Sequence, residues 1–215
     1  GIPVINNISG LGTAFIERGW LAPLISALYR LALRRSATVF FPNPEDEALF
    51  LSSKLVRPQQ ARLLPGSGIN LQHFTPVESS RRDGPFTFLM LGRLLWQKGV
   101  AEYVEASRLV RRDIPDARFQ LLGFLDAQNR SAVGRREVSS WVAEGHIDYL
   151  GEADDVRPFL AAADCIVLPS YREGLPRVLL EGAATGKPLI ASDVPGCRQE
   201  GGHGVYGFLC EARRA

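Results

Sequence analysis

No run of apolar residues in the chain approaches the ~20 that a membrane-spanning helix needs, so a spanning segment is not expected. Cysteine is scarce: Cys165, Cys197 and Cys210 have no metal-ligand spacing and leave an odd thiol. That excludes a zinc module and a disulfide framework; a reducing compartment is expected, with all three as packing residues. Excess charge of either sign is also missing, since the formal net charge is +2, and a nucleic-acid partner therefore has no support. The pairs Arg34-Arg35, Arg81-Arg82 and Arg111-Arg112 suit solvated helix ends and loops, or local contact with an anionic ligand or membrane. The chain opens without an initiator Met or a polar leader and stops soon after an apolar run, which suggests a piece of a longer protein.

What is present is ordinary globular composition, 46% hydrophobic and 22% charged over 215 residues, enough for one substantial core or two small ones. Short runs rich in β-branched and aromatic residues alternate with helical patterns, as in parallel α/β layers. Strands are expected over 4–8, 38–41 and 62–65, with helices over 23–35 and 45–53. The first helix carries Leu24, Leu28, Leu31 and Ala32 on one face, and Asn43-Pro44 opens the second. Residues 71–85 lack periodicity and 79–85 are polar and turn-rich, so 76–85 is the expected linker. Beyond it the alternation resumes: strands over 86–91, 118–122, 147–150, 166–168, 189–192 and 207–210, helices over 98–113, over 126–144 with breaks, and over 155–163, and one opened by Pro176 and closed by Gly186. The expected organisation is a doubly wound parallel sheet in residues 86–215, preceded by the end of another α/β domain in residues 1–75.

Two strand-to-helix loops carry the chemistry. The octet from Gly92 to Gly99 places Arg93 and Lys98 beside a helix start, where a planar guanidinium, a point-charge ammonium and backbone donors together suit a diphosphate. The octet is neither a Walker sequence nor Gly-x-Gly-x-x-Gly, and such loops contain Gly, Arg and Lys for ordinary reasons too. The second loop runs from Tyr171 into a helix, with Glu173 before the helix and Glu181 within it. A carboxylate can accept two hydrogen bonds from vicinal hydroxyls. The plain alternatives are a dipole-compensating turn residue for Glu173 and a solvated helix carboxylate for Glu181, although Gly182-Ala183-Ala184 suggest a helix close to its sheet and a partly buried Glu181.

Together with Gly66-Ser67-Gly68-Ile69-Asn70 and the run from Gly186 to Gly196, these motifs resemble the family 4 glycosyltransferases of GT-B fold, in the expected order from residue 61 onward. The segment from Asn6 to Gly12 and Asn43-Pro44 further resemble bacterial members that extend lipid-linked glycans. The resemblance implies a nearly complete C-terminal Rossmann-like domain that binds the donor, truncated at its end, plus the tail of the acceptor-side domain. It implies retaining hexosyl or N-acetylhexosaminyl transfer from a nucleotide-diphosphate sugar, of the UDP class, onto a glycan or polyprenyl-diphosphate-linked acceptor in cell-surface glycoconjugate synthesis. No cofactor and no metal are implied.

In that frame Arg93 and Lys98 would bind the diphosphate and stabilise the leaving phosphate. Glu173, with the backbone of Gly174 and Leu175, would contact the donor sugar. Glu181 would hold the ribose, and the base would lie near the loops after Leu122 and Leu150. Arg93, Lys98 and Glu173 are the expected catalytic set. Two departures stand out: Gly68-Ile69-Asn70 replaces the usual Gly-Val-Asp, and Ser9 falls where many members have a His. His73, His146 and His203 do not replace it and are expected to be structural. The isolated chain is expected to bind donor without transfer. A nucleotide-sugar-binding module and a GT-B epimerase are the alternatives. A cytoplasmic location is expected; Phe15, Trp20, Leu21, Leu24 and Leu28, fringed by Arg18, Arg30, Arg34 and Arg35, either pack on the missing part of the first domain, the favoured reading, or meet an anionic bilayer at the inner membrane face.

Overall fold

The computed structural model describes residues 2–10, 22–64, 66, 68–76, 84–125, 128–200 and 203–214. Most of the expected linker, residues 77–83, lies outside them, as do Phe15, Arg18, Trp20, Leu21, Ser67 and the Arg81-Arg82 pair. Two parallel sheets divide the described residues. The first has the order β1-β2-β3, formed by Ile5–Asn7, Thr38–Phe41 and Ala61–Leu63. Between these strands run α1 (Ala22–Leu33) and α2 (Pro44–Ser52).

Helix α2 starts where the sequence places it, because Asn43 is an extended N-cap whose side chain accepts the Asp46 N–H at 2.7 Å and Pro44 has no N–H to be left without an acceptor. Helix α1 differs from expectation. Its buried contacts come from Leu33 and from Tyr29, which meets Phe50 edge-on at 5.2 Å, whereas Leu24, Leu28 and Leu31 are exposed. The helix therefore carries two apolar stripes, and only one of them packs on Val39, Phe41 and Phe50.

The second sheet has six strands in the order β6-β5-β4-β7-β8-β9, all parallel: β4 Thr87–Leu91, β5 Arg118–Leu122, β6 Asp148–Tyr149, β7 Cys165–Leu168, β8 Leu189–Ser192 and β9 Gly207–Cys210. Strand β4 is apolar along its length because both faces are covered. Met90 joins a core with Tyr103, Val104, Phe119 and Leu121, on the side of α3 (Val100–Asp113) and α4 (Arg135–Ala143). Leu89 and Leu91 join the opposite core with Leu160, Ile166 and Leu179, on the side of α5 (Arg157–Ala162) and α6 (Arg177–Ala184).

Several expected boundaries move. Of the broken helix expected over 126–144, residues 126 and 127 lie outside the described ones and the helix proper begins at Arg135, since the Asn129 side chain takes the Ser131 N–H at 2.9 Å and diverts the chain into a turn. Pro176 is the N-cap of α6 and not its first helical residue. A short helix α7, Pro195–Glu200, lies in a stretch to which the sequence assigned no element. Cys165 and Cys197 are buried, with burial pushing both thiols up to about 12, but Cys210 is exposed and does not pack as expected.

Candidate functional site

The order of the second sheet reverses between β4 and β7, and at such a switch point the loops leaving neighbouring strands diverge and leave a crevice. Here the crevice is a cavity of about 570 Å³ walled by the loop after β4 (Gly92, Arg93), the loop after β5 (Gly123, Phe124), residues 152–154 beyond β6, and Val178 and Glu181 of α6. The wall is tight where the first two loops cross. A Cβ on Gly123 would lie 1.8 Å from the Gly92 carbonyl oxygen, so only glycine lets these backbones meet. The Tyr149 hydroxyl donates to the Gly123 carbonyl at 2.8 Å and fixes the same loop from β6.

Arg93 and Glu181 thus share one cavity. Arg93 is exposed, whereas Glu181 retains 9% of its surface and accepts a hydrogen bond from Arg177 Nη2 at 3.2 Å. Burial raises the Glu181 pKa above its ordinary value, and Arg177 only partly offsets this. Because the folded carboxyl holds its proton more tightly than the unfolded one, its charge costs stability above the raised pKa. That cost disappears once pH falls below the unfolded value.

Lys98 and Glu173 form the second group. Lys98 ends a single 3-10 turn, Trp96–Lys98, and its Nζ donates to Glu173 Oε1 at 2.5 Å, with side-chain exposures of 25% and 10%. The sequence assigned these charges to different ligand groups, whereas the structure pairs them with each other. Their loops are stitched together by the Tyr171 N–H, which donates to the Gln97 carbonyl at 2.9 Å. The Tyr171 hydroxyl donates to Glu102 at 2.6 Å, and burial together with this carboxylate pushes the phenol up to about 12.

Gly174 and Leu175 turn from the cavity toward the first sheet. The Gly174 carbonyl accepts from Asn43 Nδ2 at 2.9 Å, and a Cβ on Gly174 would lie 2.6 Å from the Ser9 carbonyl oxygen. The Leu175 side chain lies over Gly66.

With this geometry the whole second sheet, residues 85–215, matches the family model described as glycosyl transferases group 1. The chain belongs to the group 1 glycosyl transferases. Among its relatives is the N,N'-diacetylbacillosaminyl-diphospho-undecaprenol alpha-1,3-N-acetylgalactosaminyltransferase of Campylobacter jejuni, 31% identical over 97% of this chain and 57% of that protein. Another is the Escherichia coli UDP-Gal:alpha-D-GlcNAc-diphosphoundecaprenol alpha-1,3-galactosyltransferase, 26% identical over 98% of this chain and 57% of that one. Among solved structures, the sucrose-phosphate synthase from Thermosynechococcus elongatus superposes with a TM-score of 0.80 at 27% identity, covering 97% of this chain and 55% of the other. Anabaena HepE in complex with UDP-glucose gives 0.81 at 20% identity, covering 99% and 59%. The chain spans a little over half the length of these relatives.

In this group 1 glycosyl transferase, the six residues singled out from sequence fall into three adjoining places: Arg93 and Glu181 in the cavity, Lys98 with Glu173, and Gly174-Leu175 against the first sheet. The loops after Leu122 and Leu150 do form cavity walls, although Phe124, Glu152 and Asp154 carried no individual signal. The sequence also gave no hint of Asp46 and Arg172. Asp46 is fully buried and forms an ion pair with Arg172 across the two sheets. In sequence Asp46 looks only like an acidic residue in the first turn of a helix.

The histidines lie elsewhere: His73 is exposed, His146 Nε2 is 3.2 Å from Glu144, and His203 Nδ1 accepts the Leu209 N–H at 3.1 Å. Among the described residues no three His, Cys, Asp or Glu side chains cluster to hold a metal ion, and no helix is long and apolar enough to cross a membrane.

Proposed function

We propose that the protein transfers a sugar, with retention, from a UDP-sugar to a polyprenyl-diphosphate-linked glycan, and that these residues bind the donor. The observation that supports this reading is the cavity at the strand-order reversal, whose lining includes the cation of Arg93 and the buried carboxylate of Glu181. A nucleotide sugar has matching polarity: hydroxyls at the ribose for Glu181, a diphosphate for Arg93, and sugar hydroxyls toward Glu173. Base and ribose would occupy the cavity, and the diphosphate would lie along the line from Arg93 to Lys98. For Lys98 to meet phosphate, its contact with Glu173 has to be shared or broken, which would free the Glu173 carboxylate for the sugar. The named activities of the bacterial relatives support a lipid-linked acceptor. No metal or cofactor is required in this scheme, because the diphosphate charge is met by Arg93 and Lys98.

Calorimetric titration of UDP, GDP and uridine, each with a chelator present, tests the reading. UDP is expected to bind at least about tenfold more tightly than uridine. Arg93→Ala should remove most of that difference and leave uridine affinity unchanged. Equal binding of uridine and UDP by the unmodified chain would overturn the diphosphate assignment.

The raised Glu181 pKa adds a pH dependence. Ribose recognition requires the ionised form, so uridine affinity should fall as pH drops through a midpoint above the ordinary glutamate value. A flat profile in the mildly acidic range would argue against Glu181 as the ribose acceptor.

We further propose a cytoplasmic protein resting on the inner membrane face through the open stripe of α1. Leu24, Leu28 and Leu31 are exposed there, beside a groove lined by Arg30, Arg34, Arg35, Lys54 and Arg57. Sedimentation with anionic but not neutral liposomes is the expected result, and equal sedimentation with both would sink the idea.

A further inference from the structure

Glu173 belongs by sequence to the second sheet, but both of its chain neighbours are gripped by the first. Arg172 Nη2 forms an ion pair with Asp46 Oδ1, and Asn43 Nδ2 donates to the Gly174 carbonyl at 2.9 Å. Asn43 and Asp46 are themselves one unit. The Asn43 side chain accepts the Asp46 N–H at 2.7 Å and its Nδ2 also reaches Asp46 Oδ2 at 3.2 Å, so the cap of α2 presents a donor and an anion in fixed relation. Both residues are fully buried. On the other side, Glu173 Oε1 meets Lys98, and the Glu173 carbonyl accepts the Gly196 N–H at 3.2 Å. Glu173 therefore hangs between two supports, one from each sheet.

Stability alone is a poor explanation for the support from the first sheet. A buried ion pair recovers little of the desolvation its charges give up, and an apolar pair of similar volume commonly does as well. The cost is visible here, since the Arg172 Nε–H is buried with no acceptor among the described residues. What these contacts do supply is geometry: a charged hydrogen bond tolerates little angular error, and with the neutral one from Asn43 on the other side of Glu173 it fixes the backbone there.

We propose that Asn43 and Asp46 are positioning residues for donor-sugar recognition: by holding Arg172 and Gly174 they set the direction of the Glu173 carboxylate from the opposite sheet. The approach of the two sheets is thereby coupled to sugar recognition and not to nucleotide binding, because none of Asn43, Asp46 and Arg172 lines the cavity. An ordinary inter-sheet glue would make no such distinction between parts of one ligand. The inference rests on the reading that Glu173 meets the donor sugar.

Two measurements separate that reading from the clamp. The first is calorimetric titration of UDP and of a UDP-hexose into the unmodified chain, Asp46→Asn, Arg172→Met and the conservative Arg172→Lys. In Asp46→Asn and Arg172→Met the ratio of UDP-hexose to UDP affinity is expected to fall about tenfold, with UDP itself changed less than about twofold and Arg172→Lys recovering part of the loss. An unchanged ratio, or equal weakening of both ligands, overturns the proposal.

The second measurement needs no ligand. Hydrogen exchange at the Gly196 and Tyr171 amides, which are bonded to the Glu173 carbonyl and the Gln97 carbonyl, should accelerate about tenfold in Arg172→Met while the amides of α6 keep their protection. If the unmodified chain binds no nucleotide, the functional reading fails and exchange alone judges the clamp: loosening confined to this loop supports it, and unchanged exchange overturns it. Arg172 is partly exposed, so Arg172→Met guards against a folding defect in the variant at buried Asp46.

Discussion

Gly99→Ala is expected to destabilise the chain by about 2 to 5 kcal/mol, combining the left-handed penalty of a residue with a Cβ and the cost of forced overpacking. Gly99 has φ 77° and is the hinge between the 3-10 turn carrying Lys98 and helix α3, whose N-cap it forms. A Cβ there would fall 2.1 Å from the Pro169 carbonyl oxygen and 2.7 Å from its carbon. Those are backbone atoms, so no side-chain rotation relieves the clash. One strand-end loop must move away from the other, and they are the loops that bring Lys98 to Glu173. If these loops bind the donor as proposed, loss of nucleotide-sugar affinity should accompany the loss of stability. Urea denaturation checks the first part, and a shift below about 0.5 kcal/mol, the size of an ordinary surface substitution, would show that the loops yield more easily than this geometry allows.

Glu181→Ala should separate binding from stability in the opposite way. If the carboxylate accepts ribose hydroxyls, its removal should weaken UDP and uridine alike by about 1 to 3 kcal/mol, the cost of leaving buried partners unsatisfied. The folded protein, however, loses a charge whose burial is unfavourable, as the raised pKa shows. Arg177 is 66% exposed and loses little when its partner goes. Thermal stability is therefore expected to hold or rise while affinity falls, as at sites where function and stability compete. Glu181→Gln keeps one acceptor and should fall between. A variant that binds as well as the parent, or that unfolds in step with lost binding, would make Glu181 a structural residue.

How much of this was legible in the sequence depended on whether the cause was local. Strands β2, β5, β8 and β9 fall at the expected residues because an apolar run bounded by turn formers needs no distant information. Over 126–144 helix with breaks was expected, but where the breaks fall could not be read, because one Asn side chain that competes for backbone donors carries no weight in composition. Helix α7 was missed because it is short and starts with Pro195-Gly196, a pair that otherwise signals a turn.

At the site, the partial burial of Glu181 could be inferred from the small residues that follow it, and the two loops walling the cavity from their place after strands. The ion pair between Lys98 and Glu173 could not, and neither could the grip of Asp46 on Arg172. Each joins residues far apart in the chain, and single-sequence periodicity carries no record of which loop a loop will touch.

The strand order also has a temporal side. Strand β4 pairs with β5, one helix further along the chain, but its other partner, β7, is made much later, with α3, β5, α4, β6 and α5 in between. During synthesis the open edge of β4 must wait, unpaired, for Cys165 and Ile166 to reach Phe88 and Leu89. Non-local parallel pairing of this kind is slow and exposes sticky edges while it is incomplete. The cavity lies beside that seam, so the wall carrying Arg93 emerges from the ribosome well before the wall carrying Glu181, and closing the seam is the step that first brings the two to one cavity.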